Sequence, residues 1–185
     1  MANLSTTRRA PLDGFTAAAS LGVNAAPPAA RFVLRGRPQA LAATEAALGF
    51  ALPQQACRAA SLGDLHALWL GPDEWLLLAP AGDAEALGAA LEAAMGETPH
   101  SLVEISQRQT ALIVSGPRAT DLLSVGCLLD LDHKAFPVGM CTRTVMAKAE
   151  IILWRTAPET FHVEVWRSFS PYVWRFLEAA GAEFA

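Results

Sequence analysis

The same order of local signals is legible twice in this sequence: strand, helix, hairpin, helix from Arg31 to Met95, and again from Ala111 to Ala180 with one strand added. No other feature restricts the fold as much. It predicts a duplicated β-α-β-β-α unit, an α+β open-faced sandwich in which helices cover one face of each sheet. Identity between the halves is negligible, so the repeat lies in the pattern of elements.

In the first half, Arg31 to Arg35 reads as an apolar strand ended by Gly36, and Pro38 suits the first turn of a helix running to about Leu48. Gly49 fits a left-handed cap there. Two apolar runs, Leu65 to Leu70 and Trp75 to Ala79, flank Gly71, Pro72, Asp73 and Glu74, which is the chemistry of a tight reversal and predicts a hairpin. Asp83 is placed to cap an alanine-rich helix that Gly96 ends.

The second half opens with strands over Leu102 to Ile105 and Ala111 to Ser115. Pro117 then starts a short helix whose Ala119, Leu122 and Leu123 share a face, and Gly126 stops it. Further strands are predicted over Thr142 to Ala147, Ile151 to Arg155 and Phe161 to Arg167. In the last, Phe161, Val163 and Val165 alternate with His162, Glu164 and Trp166, which predicts one buried face and one polar face. The closing helix has Ser170 as N-cap, Pro171 in its first turn and a hydrophobic staple between Phe169 and Trp174.

Residues 1–29 mix Ala, Pro, Ser, Thr and Gly without a period, which predicts a tail that is disordered or ordered by a partner. Residues 30–185 then form a single domain of two similar halves. A formal net charge of −4 without clustered cations argues against nucleic acid and anionic membranes as partners. No apolar run approaches the length of a bilayer span, and no signal peptide follows the first arginines. With three cysteines, an odd number, the chain is expected to keep reduced thiols in the cytoplasm.

Cys127, His133, Cys141 and His162, with Asp130 and Asp132 nearby, include every ligand type zinc accepts, but their spacing lacks the paired ligands of a closed zinc site. Nothing supplies a Cys–His nucleophilic pair. The SGPRATDLL turn could offer amides to an anion, yet Pro117 removes one donor and no phosphate-loop pattern is present, so it reads as a strand-to-helix turn. The expected catalytic, cofactor-binding and metal-ligating residues are therefore none. Arg108, Arg143 and Arg167 flank strands and are candidates for pairing with acidic groups of a partner. Trp166, on the polar side of its strand, is expected under the closing helix or else at a subunit contact.

The stretches WLGPDEWLLL, VEISQRQTALIVSGPRATDLLSVGCLLDL, FPVGMCTRTVMAKAEIILWR and VEVWRSFSPYVWRFL together resemble the gamma subunits of heterotetrameric sarcosine oxidases, from about Ala30 to the C-terminus. The fold is more distantly similar to the folate-binding domain of glycine-cleavage aminomethyltransferases. The resemblance implies an assembly with alpha, beta and delta subunits that oxidises the N-methyl group of sarcosine. FAD, FMN, NAD, zinc and tetrahydrofolate are then expected on the partner subunits and none on this chain. The equivalent subunit of an N-methylglutamate dehydrogenase is an alternative, as is a stand-alone folate-binding or aminomethyltransferase-like protein.

Overall fold

The computed structural model describes residues 11–16 and 22–184. Its first unit consists of β2 (Ala29–Gly36), α1 (Pro38–Leu48), β3 (Ala59–Leu62), β4 (Leu65–Gly71), β5 (Glu74–Pro80), α2 (Ala84–Met95) and β6 (His100–Glu104). The second consists of β7 (Gln109–Ser115), α3 (Ala119–Ser124), β8 (Cys141–Met146), β9 (Ala149–Ala157), β10 (Thr160–Trp166) and α4 (Ser170–Gly181), preceded far upstream by β1 (Val23–Ala25).

All strand pairs are antiparallel, and the two sheets have matching orders, β3-β4-β5-β2-β6 and β8-β9-β10-β7-β1. The units are thus more alike than the sequence pattern indicates, because β3 supplies the first half with a strand that the pattern does not show. AASL carries little β-branched or aromatic signal, and pairing with β4 forms the strand. The fifth strands differ in origin. β6 follows α2 directly, whereas the matching place beside β7 is taken by β1, from ahead of both units.

Part of the stretch expected as a tail is therefore built into the fold. Val23 lies opposite Val114 and Ala25 opposite Leu112, and Leu12 and Val23 are buried with the core of the second unit. A three-residue strand has no periodicity to detect; its order comes from the backbone of β7. Gly22 is held there at φ +60, and a Cβ on it would stand 1.8 Å from the Ser115 carbonyl oxygen. The rest of the expected tail, 1–10 and 17–21, lies outside the described residues.

The molecule stacks helices, sheet, sheet and helices. Phe32, Leu34, Trp75 and Leu77 pack under α1 and α2, while Leu112, Val114, Phe161 and Val163 pack under α3 and α4. Between the sheets, Leu68, Leu76 and Leu78 of the first meet Cys141, Ile152 and Trp154 of the second. This corrects the reading of β10. Its alternation separates a helix-facing side from a sheet-facing side, and Glu164 on the second is fully buried. Period-two patterning marks which residues share a face and is silent on what covers it.

Helix ends follow the predicted glycines: Gly49 at φ 78 donates to Glu45 O, and Gly96 at φ 51 donates to Glu92 O. The expected serine and aspartate caps are corrected. Asp83 closes a turn of 3₁₀ helix and makes no capping bond to α2. Ser170 lies inside α4, and its hydroxyl donates to the Arg167 carbonyl at 2.9 Å. The staple positions shift as well: Phe169 takes the N-cap place and is exposed, whereas Trp174 is buried in a T-shaped contact with Phe15.

Candidate functional site

Where the sheets leave their shared core, register brings charged side chains together. Arg35 on β2 sits opposite Glu74 on β5, and Arg143 reaches the same carboxylate from β8 in the other sheet. Arg35 Nη2 donates to Glu74 Oε2 at 2.8 Å and Arg143 Nη2 donates to Oε1, so one carboxylate fixes two guanidinium groups. Burial acts to raise the Glu74 carboxyl, but the Arg143 bond and charge, with Arg35, outweigh it and hold the group below its ordinary value.

Beyond this cluster, Arg108 in the β6–β7 turn lies over the Trp166 ring at 5.0 Å. The structure thus gathers three of the four predicted interface residues, Arg108, Arg143 and Trp166, around one cleft of about 570 Å³. The fourth, Arg167, lines an adjoining groove of about 530 Å³ together with Arg108 and Trp166. Trp166 is 41% exposed, which corrects its expected place under the closing helix. Arg35, Glu74 and Gln109 also line the cleft and carry no sequence signal, because their convergence depends on strand register and on the stacking of the sheets.

A second polar group lies between the sheets. Arg31 Nε donates to Glu164 Oε2 at 2.7 Å, and His162 Nε2 lies 2.8 Å from Oε1. An ionised carboxylate only accepts, so the imidazole proton facing it sits on Nε2. Burial opposes the charge on Glu164, yet His162 and Arg31 keep its carboxyl below the ordinary value.

The residues considered for zinc do not converge. Cys127 Sγ lies 3.9 Å from the Thr144 hydroxyl, Cys141 Sγ faces the Trp69 carbonyl at 3.7 Å, and His133 stands exposed beside Asp132. No group of three or more His, Cys, Asp or Glu side chains placed to hold a metal occurs among the described residues. At the SGPRAT turn, the Gly116 N–H donates to the Glu159 carbonyl. The loop carrying GCLLDL and FPVG is fastened from beneath by Arg155, whose Nη1 donates to the carbonyls of Leu131 and Phe136. Within it, a Cβ on Gly126 would meet the Phe176 ring at 2.5 Å, so that motif position is set by packing.

No helix among the described residues is long and apolar enough to cross a membrane. The profile of the family described as "Sarcosine oxidase, gamma subunit family" matches residues 35–183. A sarcosine oxidase subunit gamma from Corynebacterium sp. (strain P-1) is 36% identical over 186 residues, covering 100% of this chain and 86% of that one. A chain of heterotetrameric sarcosine oxidase from Corynebacterium sp. U-96, solved with pyrrole 2-carboxylate, superposes with a TM-score of 0.87 at 28% identity, covering 96% of each chain. The glycine cleavage system aminomethyltransferase T from Bartonella henselae shares the fold, with a TM-score of 0.67 at 16% identity over 84% of this chain and 45% of that one.

Proposed function

The chain belongs to the sarcosine oxidase gamma subunit family, and from that premise we propose that it is the non-catalytic gamma subunit of a heterotetramer that oxidatively demethylates sarcosine to glycine. Its partners are the alpha, beta and delta subunits. FAD, FMN and NAD belong to alpha and beta in this reading, and zinc to delta. The one-carbon unit passes to tetrahydrofolate or leaves as formaldehyde, and the complex works in the cytoplasm. The chain's own part is to present a shaped surface to the subunits that carry the flavins.

One observation carries the reading: similarity runs the whole length, in sequence and in fold, with a subunit of such an enzyme. The aminomethyltransferase likeness covers less than half of that protein, and a fold alone does not transfer an activity.

The experiment is co-expression of this chain, affinity-tagged, with the three partner subunits. Flavin absorbance and sarcosine-dependent oxygen uptake are expected in the tagged fraction, and neither from the chain alone. Sarcosine oxidation by the isolated chain would overturn the non-catalytic role. Full assembly and activity of the other three subunits without it would overturn its place in the complex. Stoichiometric tetrahydrofolate binding by the isolated chain would favour a folate-binding module instead.

A further inference from the structure

The cleft at the open end of the sheet stack has a charge unlike the rest of the chain. Arg35, Arg108 and Arg143 line it against two carboxylates, Glu74 and Glu150, so a positive concavity remains on a protein of formal net charge −4. Glu74 has both oxygens engaged and holds Arg35 and Arg143 in place. Both guanidinium groups keep further donors turned to an open surface, since their side chains are 59% and 40% exposed. Arg108 is oriented by the Trp166 ring and has no carboxylate in salt-bridge range among the described residues.

A second observation is independent of charge. Gln109 lines the same cleft, is only 7% exposed, and no donor of the described residues reaches its Oε1. Leaving a buried acceptor without a partner is costly, so a turn of the Gln109 side chain onto an incoming N–H is favoured. A third is shape. The cleft runs into the groove lined by Pro11, Arg167, Ser168 and Pro171, with Arg108 and Trp166 common to both. Exposed Val103, Phe169 and Tyr172 lie on the elements around it. An elongated track of arginine and aromatic side chains with an unmet acceptor fits a stretch of polypeptide better than a compact small molecule; tryptophan, tyrosine and arginine are the types that dominate binding energy at protein interfaces.

We propose that this cleft receives an acidic segment of a partner subunit, with Asp or Glu side chains on Arg108 and Arg143, a main-chain or side-chain N–H on Gln109 Oε1, and an apolar side chain against Trp166. The inference rests on the subunit reading above and names the surface that such a subunit uses.

The test uses the co-expressed complex. Arg108→Glu and the double variant Arg108→Glu/Arg143→Glu are compared with Arg108→Lys for the amount of chain retained with its partners at increasing salt. Melting of each free variant shows that it folds. Retention is expected to fall about tenfold or more in the double variant and little in Arg108→Lys, because truncating or reversing buried interfacial charge accelerates dissociation. A photo-crosslinking residue at position 166 in the otherwise unchanged chain is expected to capture a partner peptide rich in Asp and Glu.

Equal retention of the folded charge-reversed variants overturns the proposal, as does crosslinking only to a peptide without acidic residues. If retention is equal and the free chain binds citrate or inorganic phosphate in an Arg108- and Arg143-dependent way, the cleft is a small-anion site and the proposal falls. Failure of the unchanged chain to join the complex strikes the subunit reading, while variant-independent assembly strikes this inference alone.

Discussion

Arg31 and Glu164 meet 2.7 Å apart with side chains 3% and 0% exposed, one from each half of the duplicated fold. Neither unit can satisfy this pair alone. Removing one partner strands a charge between the sheets, so Glu164→Ala is expected to cost about 3–5 kcal/mol in urea unfolding. Arg31→Met with Glu164→Leu is expected to cost less than the sum of the singles, because neither charge is then left without its partner and only the His162 imidazole loses an acceptor. Additive single losses in the double-mutant cycle would show that the pair does not couple the halves.

The acid limb of stability is expected to come from the same layer. Glu164 and Glu74 have folded-state carboxyls held below the ordinary 4.5. Their contribution is complete above that value and is lost as pH falls through it towards the depressed values of the folded protein. The melting temperature should therefore drop steeply as pH falls below about 4.5. In Glu164→Gln the protein should be less stable at pH 7 and its acid-side drop shallower. A parallel displacement of the whole curve would contradict the assignment.

Gly22→Ala is expected to unseat β1, since the added Cβ would stand 1.8 Å from a carbonyl oxygen of β7 at a φ that disfavours side chains. A loss of about 1–3 kcal/mol is expected. Amide exchange at Ser115, whose N–H donates to the Gly22 carbonyl at 2.9 Å, should quicken. Unchanged exchange there would mean that β1 does not hold β7.

Thiol titration should separate the cysteines. Cys57 is half-buried, whereas Cys127 and Cys141 are buried, and burial pushes the Cys141 thiol up to about 12. One equivalent of a thiol reagent is expected to react readily at pH 8, and the others only on unfolding. Rapid reaction at all three positions would show that the inter-sheet layer opens.

Elements with strong local chemistry were legible in the sequence: the Leu65–Ala79 hairpin, the proline-started α1 and its glycine cap, and the face shared by Ala119, Leu122 and Leu123. β1 and β3 were not, because both are short and are ordered by the strand beside them. Ser170 does not cap α4 because the helix begins one residue earlier than a serine N-cap requires. For the cleft, Arg108, Arg143 and Trp166 stood out as residue types at strand ends. Glu74 reads in the sequence as part of a tight reversal, and only the approach of the second sheet shows it to be the buried anchor of two arginines.

The origin of β1 has a consequence for synthesis. Gly22 and Ser115 are 93 residues apart in the chain. At about 5–20 residues per second, β1 leaves the ribosome on the order of 5–20 seconds before the strand it pairs with. The first unit is completed by its own β6 and can form in that interval. The second can close only by reaching back to a segment that has stayed uncommitted throughout, so a strand made before either unit is among the last to take its place.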